Sequence, residues 1–246
     1  MESKSCCIVG ACQNVAGYLP QVLANMNTIA SWWRECKIVI YENDSTDDTP
    51  RILLEWKNEG GHRELVQETG LAARYPGRTD RLAYIRNRLL HYVPPQFDYM
   101  FMVDMDDVFT KPVRKESFEA CFQLKSWDVM TANTDWYYDI WALRVPGMID
   151  FDCWKRYYEL LRAGYSTKDA TWTAIEQYKE RMSKLNQIVI VHSAFNAGAL
   201  YKVSAIRTCC KFVGHVNGNE ICEHVPFQAC LRSHGARILF HPEFKL

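Results

Sequence analysis

Short apolar runs alternate with amphipathic stretches through the first 104 residues, and no other feature limits the fold as much. Residues 6–10, 37–41 and 99–103 are too short for helices and read as buried strands, with a further short strand at 65–66. Between them, residues 17–32 carry Leu19, Val22, Leu23, Met26 and Ile29 at helical spacing. Residues 51–57 carry Ile52, Leu53 and Trp56 on one face. That helix starts with Asp48 or Thr49 as N-cap and Pro50 at its first position, and stops at Gly60-Gly61. Residues 71–77 read as irregular. Residues 79–92 place Leu82, Ile85 and Leu89 at core spacing, and Pro94-Pro95 ends the run. Strand–helix alternation of this kind gives an α/β fold, a mostly parallel sheet covered by helices.

The second half is less regular. Residues 127–132, 188–191, 197–202 and 237–240 read as strands, and 151–162, 169–184 and 223–234 as helices. Gly198 permits close backbone approach. His241-Pro242 follows the last strand. The later strands are expected to mix antiparallel pairing into the sheet.

A length of 246 residues suits one large α/β domain or two small ones, and 48% hydrophobic content supplies a core. The 29 basic residues match the 29 acidic ones, which argues against a broad nucleic-acid footprint. No apolar run reaches the length of a membrane span, and residues 1–12 are too short and polar for a signal peptide. The expectation is a cytoplasmic chain without a transmembrane segment, compatible with a domain taken from a larger protein. Ten cysteines include the adjacent pairs Cys6-Cys7 and Cys209-Cys210 but no Cys-x-x-Cys. Several sit among apolar neighbours, as buried thiols in a reducing compartment do. Cys209, Cys210, Cys222 and Cys230 are close enough in sequence to leave a disulfide open.

The strand at 99–103 ends in Asp104-Met105-Asp106-Asp107. Carboxylates this close repel, and a divalent cation commonly offsets the repulsion; oxygen ligands suit Mg²⁺ or Mn²⁺. The alternative is a solvated acidic turn. Glu42 also stands at a strand exit, and parallel sheets bind ligands beyond the C-terminal ends of their strands.

Three segments add to the acidic stretch: Glu42-Asn43-Asp44-Ser45-Thr46-Asp47, Phe195-Asn196-Ala197-Gly198-Ala199-Leu200-Tyr201, and residues 223–242. In this order they resemble the nucleotide-sugar glycosyltransferases of the GT-A fold, whose Asp-x-Asp metal motif Asp104-Met105-Asp106 matches. The resemblance spans nearly the whole chain. Tyr138-Asp139-Ile140-Trp141-Ala142-Leu143-Arg144 more weakly resembles the fungal capsule-associated α-1,3-mannosyltransferase family. The resemblance implies a UDP- or GDP-sugar donor, Mn²⁺ or Mg²⁺, and transfer of a hexose or deoxyhexose to a hydroxyl of a glycan acceptor. It also implies a nucleotide-binding half at 1–110 and an acceptor-binding, catalytic half at 111–246.

On that basis Asp106 contacts the metal, and Asp104 holds the ribose, a metal-bound water or the metal itself. Asp107 substitutes for either or caps the next turn. Glu42 and Asp44 take the nucleoside, and Arg78, Arg81 and Arg86 the diphosphate. Trp141 and Asn196 join the donor-binding set. His241 completes the metal shell, with His215 a weaker alternative. Trp136, Tyr138 and Trp141 stack on sugar faces while Asp139 takes hydroxyls. Glu220 or Glu223 stands where inverting relatives keep a base carboxylate, usually in a Glu-Asp pair. Here the pair is Glu223-His224. Either member serves as general base if its pKa is tuned, or the enzyme retains configuration and needs none there; retention is modestly favoured. Two other functions fit parts of the pattern. A nucleotidyltransferase usually carries a basic Gly-rich loop after its first strand, whereas residues 10–15 hold no basic residue. An inactive sugar- or nucleotide-binding domain has no need of an intact acidic triplet.

Overall fold

A computed structural model describes all 246 residues, 1–246. The first half follows the alternation read from the sequence: β1 (Ser5–Cys12), α1 (Leu19–Ala30), β2 (Glu35–Asn43), α2 (Thr49–Asn58), β3 (Arg63–Glu68), α3 (Leu71–Arg74), α4 (Arg78–Tyr92) and β4 (Tyr99–Asp104). A 3₁₀ turn, Asp107–Phe109, leads to α5 (Lys115–Ala120) and β5 (Val129–Asn133). A helical segment follows: α6 (Cys153–Arg162), α7 (Thr167–Thr171), a π-helical turn (Trp172–Glu176) and α8 (Gln177–Ser183). The chain ends with β6 (Val189–Ile190), β7 (Gly198–Lys202), α9 (Val203–Ile206), the hairpin β8 (His215–Val216) and β9 (Asn219–Glu220), α10 (His224–Ser233) and β10 (Ile238–Lys245).

Eight strands form one sheet in the order β3-β2-β1-β4-β7-β5-β10-β6. Strands β3, β2, β1 and β4 are parallel; β7 runs antiparallel between β4 and β5, and β10 is parallel to β5. Cys12 pairs with Glu42 and Ala11 with Asp104, so β1, β2 and β4 end level with one another. Alternate β1 residues face opposite layers. Cys6 and Ile8 pack with Leu19, Val22 and Met26 of α1, while Cys7 and Val9 pack with Ile85 and Leu89 of α4. Each layer buries a separate apolar cluster. No helix is long and apolar enough to cross a membrane.

Several boundaries differ from the sequence reading. Residues 71–74 form a helical turn because the Asp44 carboxylate accepts the Gly70 and Ala72 amides at 2.5 and 3.0 Å. Helix α6 starts at Cys153, where Asp152 caps the Trp154 and Lys155 amides. The helix read at 169–184 is broken by the π turn. Of residues 188–191 only Val189–Ile190 form a strand, at the sheet edge. The last strand runs through His241-Pro242 to Lys245. Its register against β5 shifts between Phe240 and Lys245, which accommodates a proline that has no amide for the ladder. Cys210 and Cys230 form a disulfide, and Cys209 and Cys222 stay free.

Candidate active site

The level ends of β1, β2 and β4 open into a cleft of about 340 Å³. The end of β1 supplies Gly10 and Cys12 and the loop after it Gln13, β2 supplies Asn43, α4 supplies Arg78, Arg81 and Arg86, and β4 supplies Asp104 with Met105 and Asp106 beyond it. Gly10 has a local reason. A Cβ there would stand 2.5 Å from Met105 Sδ, so the acidic turn closes over this position only because it lacks a side chain.

Asp104 is about one quarter exposed. Its Oδ1 lies 3.5 Å from Arg86 Nη2 and its Oδ2 accepts the Tyr138 hydroxyl at 2.9 Å. Burial pushes its carboxyl up to about 7, against the pull of Arg86 and with the help of the Asp106 charge. Asp106 is raised by burial as well, although its side chain reaches solvent. Two oxygen donors whose charged forms are disfavoured by burial fit a hard divalent cation, which would restore those charged forms. Asp107 is exposed and opens the 3₁₀ turn.

Arg86 is the buried centre of the site. It ion-pairs with Glu223, reaches Asp104, and lies over the Phe195 ring at 5.3 Å. Glu223 is buried, and so is His224, which stacks on Phe195 at 3.8 Å and meets the edge of Phe212 at 5.6 Å. Neither His224 ring nitrogen has a hydrogen-bond partner. Burial, with the Arg86 charge, drives its pKa well below the usual histidine range, so the ring is neutral.

The other sequence candidates divide. Arg78 and Arg81 line the cleft; Arg81 also donates to the Tyr75 and Pro76 carbonyls, at 2.8 and 3.2 Å. Glu42 is buried at the end of β2, accepting from the Ser45 amide at 3.0 Å and Gln67 Nε2 at 3.3 Å, and does not line the cleft. Asp44 caps α3 instead of facing the cleft. His241 is not brought to the aspartates: the ligand atoms of Asp104, Asp106 and His241 do not lie within 4.8 Å of one another. His241 is buried in β10, its Nδ1 accepts the Glu243 amide at 3.1 Å, and burial lowers its pKa. His215 pairs with Asp80 at 2.9 Å on the exposed hairpin. Glu220, on the same hairpin, accepts the Thr79 hydroxyl at 3.0 Å and is exposed. Asn196, with φ at +48°, is a buried brace: its Oδ1 accepts the Tyr138 amide at 2.9 Å.

Tyr138, Asp139 and Trp141 belong to a second cavity of about 350 Å³, so Trp141 stands apart from the first cleft. The Trp141 Nε1–H donates to Asp152 at 2.8 Å, and the Asp139 carboxylate accepts the Ala142 amide at 3.1 Å. Burial raises the Asp139 pKa. The far wall, Trp154, Tyr157, Ile175, Glu176 and Lys179, comes from α6, the π turn and α8. Trp136 is half exposed and does not line this cavity. Sequence reading passed over Gln13 and Asn43, whose type is common in any loop. It also passed over Trp154 and Tyr157, although their aromatic density within one helix was visible.

No protein-family model matches the chain, and no curated protein sequence matches it. Solved structures do match. The mannosyltransferase PcManGT from Pyrobaculum calidifontis, in complex with GDP-Man and Mn²⁺, superposes with a TM-score of 0.55 at 12% identity, over 100% of this chain and 56% of its own. S. aureus TarS 1–349 superposes with a TM-score of 0.51 at 14% identity, over 98% of this chain and 58% of its own. The same TarS segment is also known in complex with UDP. This chain thus spans less than two thirds of either relative. At such identity the likeness establishes the fold: a GT-A fold, with a mostly parallel sheet flanked by helices.

Proposed function

We propose that the chain is a divalent-metal-dependent glycosyltransferase that moves a hexose or deoxyhexose from a UDP- or GDP-sugar to a hydroxyl of a glycan acceptor. The observation that carries this reading is the convergence, in one cleft at level strand ends, of Asp104 and Asp106 with the arginine face of α4. The binding of GDP-mannose and Mn²⁺ by PcManGT, and of UDP by TarS, gives it further support.

A bound Mg²⁺ or Mn²⁺ supplies Lewis-acid stabilisation of a diphosphate leaving group. Asp104 and Asp106 are the residues to hold it. Arg78 and Arg81 offer guanidinium forks to phosphate oxygens. Arg86 steadies Asp104 from behind, and Tyr138 fixes its other oxygen. Asn43 and Gln13, at the mouth of the β-sheet, present amides to a nucleoside. The second cavity takes the acceptor, with Trp141 and Tyr138 against sugar faces and Asp139 for a hydroxyl.

Retention of configuration fits better than inversion. Glu223 is buried against Arg86, and His224 is enclosed between Phe195 and Phe212, so neither is presented as a free base.

Thermal denaturation with UDP, GDP and their sugar nucleotides, with and without Mn²⁺, tests the reading, since a ligand of the folded state raises its melting temperature. One UDP- or GDP-sugar should produce a Mn²⁺-dependent rise that Asp106→Ala abolishes. A panel without any such rise overturns the proposal.

A further inference from the structure

The second cavity does not end at its wall. Trp154, which lines it, is 45% exposed, and Tyr158, one turn further along the same face of α6, is 56% exposed. Tyr157 connects them: its ring centroid lies 5.9 Å from that of Trp154 and 5.2 Å from that of Tyr158. The result is a continuous aromatic track that starts inside the cavity and leaves along one helix. Its pitch is that of a helical turn, about 5.4 Å, close to the length of one pyranose unit. Polar groups flank it, with Lys155 and Arg156 exposed and Arg156 paired to Glu159 at 3.7 Å. Aromatic faces beside hydrogen-bonding side chains match a sugar, which presents an apolar C–H face and a rim of hydroxyls.

We infer that the acceptor is an oligosaccharide chain, with its reacting end in the cavity and the units behind it stacked on Trp154 and Tyr158. This rests on the glycosyltransferase reading and adds the acceptor's length as its specificity. The π turn supports it. Ile175 and Glu176 of that turn line the cavity together with Trp154, and π turns break helical regularity at a stability cost that functional sites commonly bear.

Binding of gluco-, manno- and xylo-oligosaccharides, from mono- to hexasaccharide, to the intact chain tests this, measured without donor. In one series affinity should rise with length. Tyr158→Ala, outside the cavity, should weaken the longer members about fivefold to tenfold while leaving the monosaccharide unchanged, and Trp154→Ala should weaken the longer members at least as much. Trp154→Phe should keep most of the affinity. Binding that is independent of length, equal loss for monosaccharide and hexasaccharide in Tyr158→Ala, or no binding in any series overturns the inference. So does Trp154-dependent binding to phosphatidylcholine–phosphatidylglycerol vesicles in place of oligosaccharides. Failure of the enzyme reading is separate, because it shows as a missing Mn²⁺-dependent shift with nucleotides.

Discussion

Tyr138 donates its hydroxyl to Oδ2 of Asp104 across 2.9 Å, so a side chain of the second cavity holds a carboxylate of the first. Hydrogen bonds to charged groups contribute about 1.5–3 kcal/mol. Tyr138→Phe should therefore weaken Mn²⁺-dependent nucleotide binding about tenfold while the ligand-free melting temperature moves little. Calorimetric titration of both proteins measures it; equal affinities would show that Asp104 needs no such support.

Arg86 and Glu223 form a buried ion pair, and removing one partner leaves the other charge uncompensated. Arg86→Ala should destabilise the fold by about 3–5 kcal/mol in urea denaturation, whereas Arg86→Met with Glu223→Leu should recover most of that loss. A double variant as unstable as the single one would contradict the pairing.

His224 is neutral in the fold, but in the unfolded chain it takes up a proton below about pH 6.5. The unfolded state then binds more protons than the folded state, so stability falls as pH drops through that value, by about 1.4 kcal/mol per pH unit from this residue. His224→Phe keeps the stack on Phe195 and removes two unpartnered nitrogens. Its stability between pH 5 and 6.5 should be flatter than that of the parent chain. Retained glycosyl transfer by the same variant would also exclude His224 as a base.

The Cys210–Cys230 disulfide spans a sequence separation of 20 and closes the segment that carries Phe212 and Glu223. Cys210→Ser with Cys230→Ser should lower stability by about 2–4 kcal/mol. Stability of the parent chain should fall in dithiothreitol and that of the double variant should not, which denaturant titration with and without reductant reads directly.

The first four strands were legible in the sequence because each couples a short apolar run to a turn or helix signal, and the acidic exit of β4 was legible because nothing apolar competes with three carboxylates. What escaped depends on contacts between distant residues. Asp44 looked like a nucleoside ligand because its role as a cap is set by the position of Gly70. His241 looked like a turn residue because Pro242 suggested an end to the strand, whereas the sheet carries the strand on through an irregularity. The burial of Arg86 follows from Glu223, far along the chain, and no local pattern distinguishes it from the more exposed Arg81 and Arg88 beside it. The wall of the second cavity has the same origin: residues 153–179 reach it through tertiary packing alone.

Strand β7 has a further meaning for how the molecule comes into being. It inserts between β4 and β5, and the Ala197 carbonyl accepts the Asp104 amide at 2.8 Å. On the ribosome, the β4 edge that leads to the acidic turn therefore waits unpaired until residues 197–202 have emerged, and Arg86 waits longer for Glu223. An unfinished chain has an open sheet edge, which invites aggregation or chaperone capture. The edge closes once β7 has emerged and the Arg86 pair only once Glu223 has followed, so a nascent fragment cannot assemble the site before both have been made.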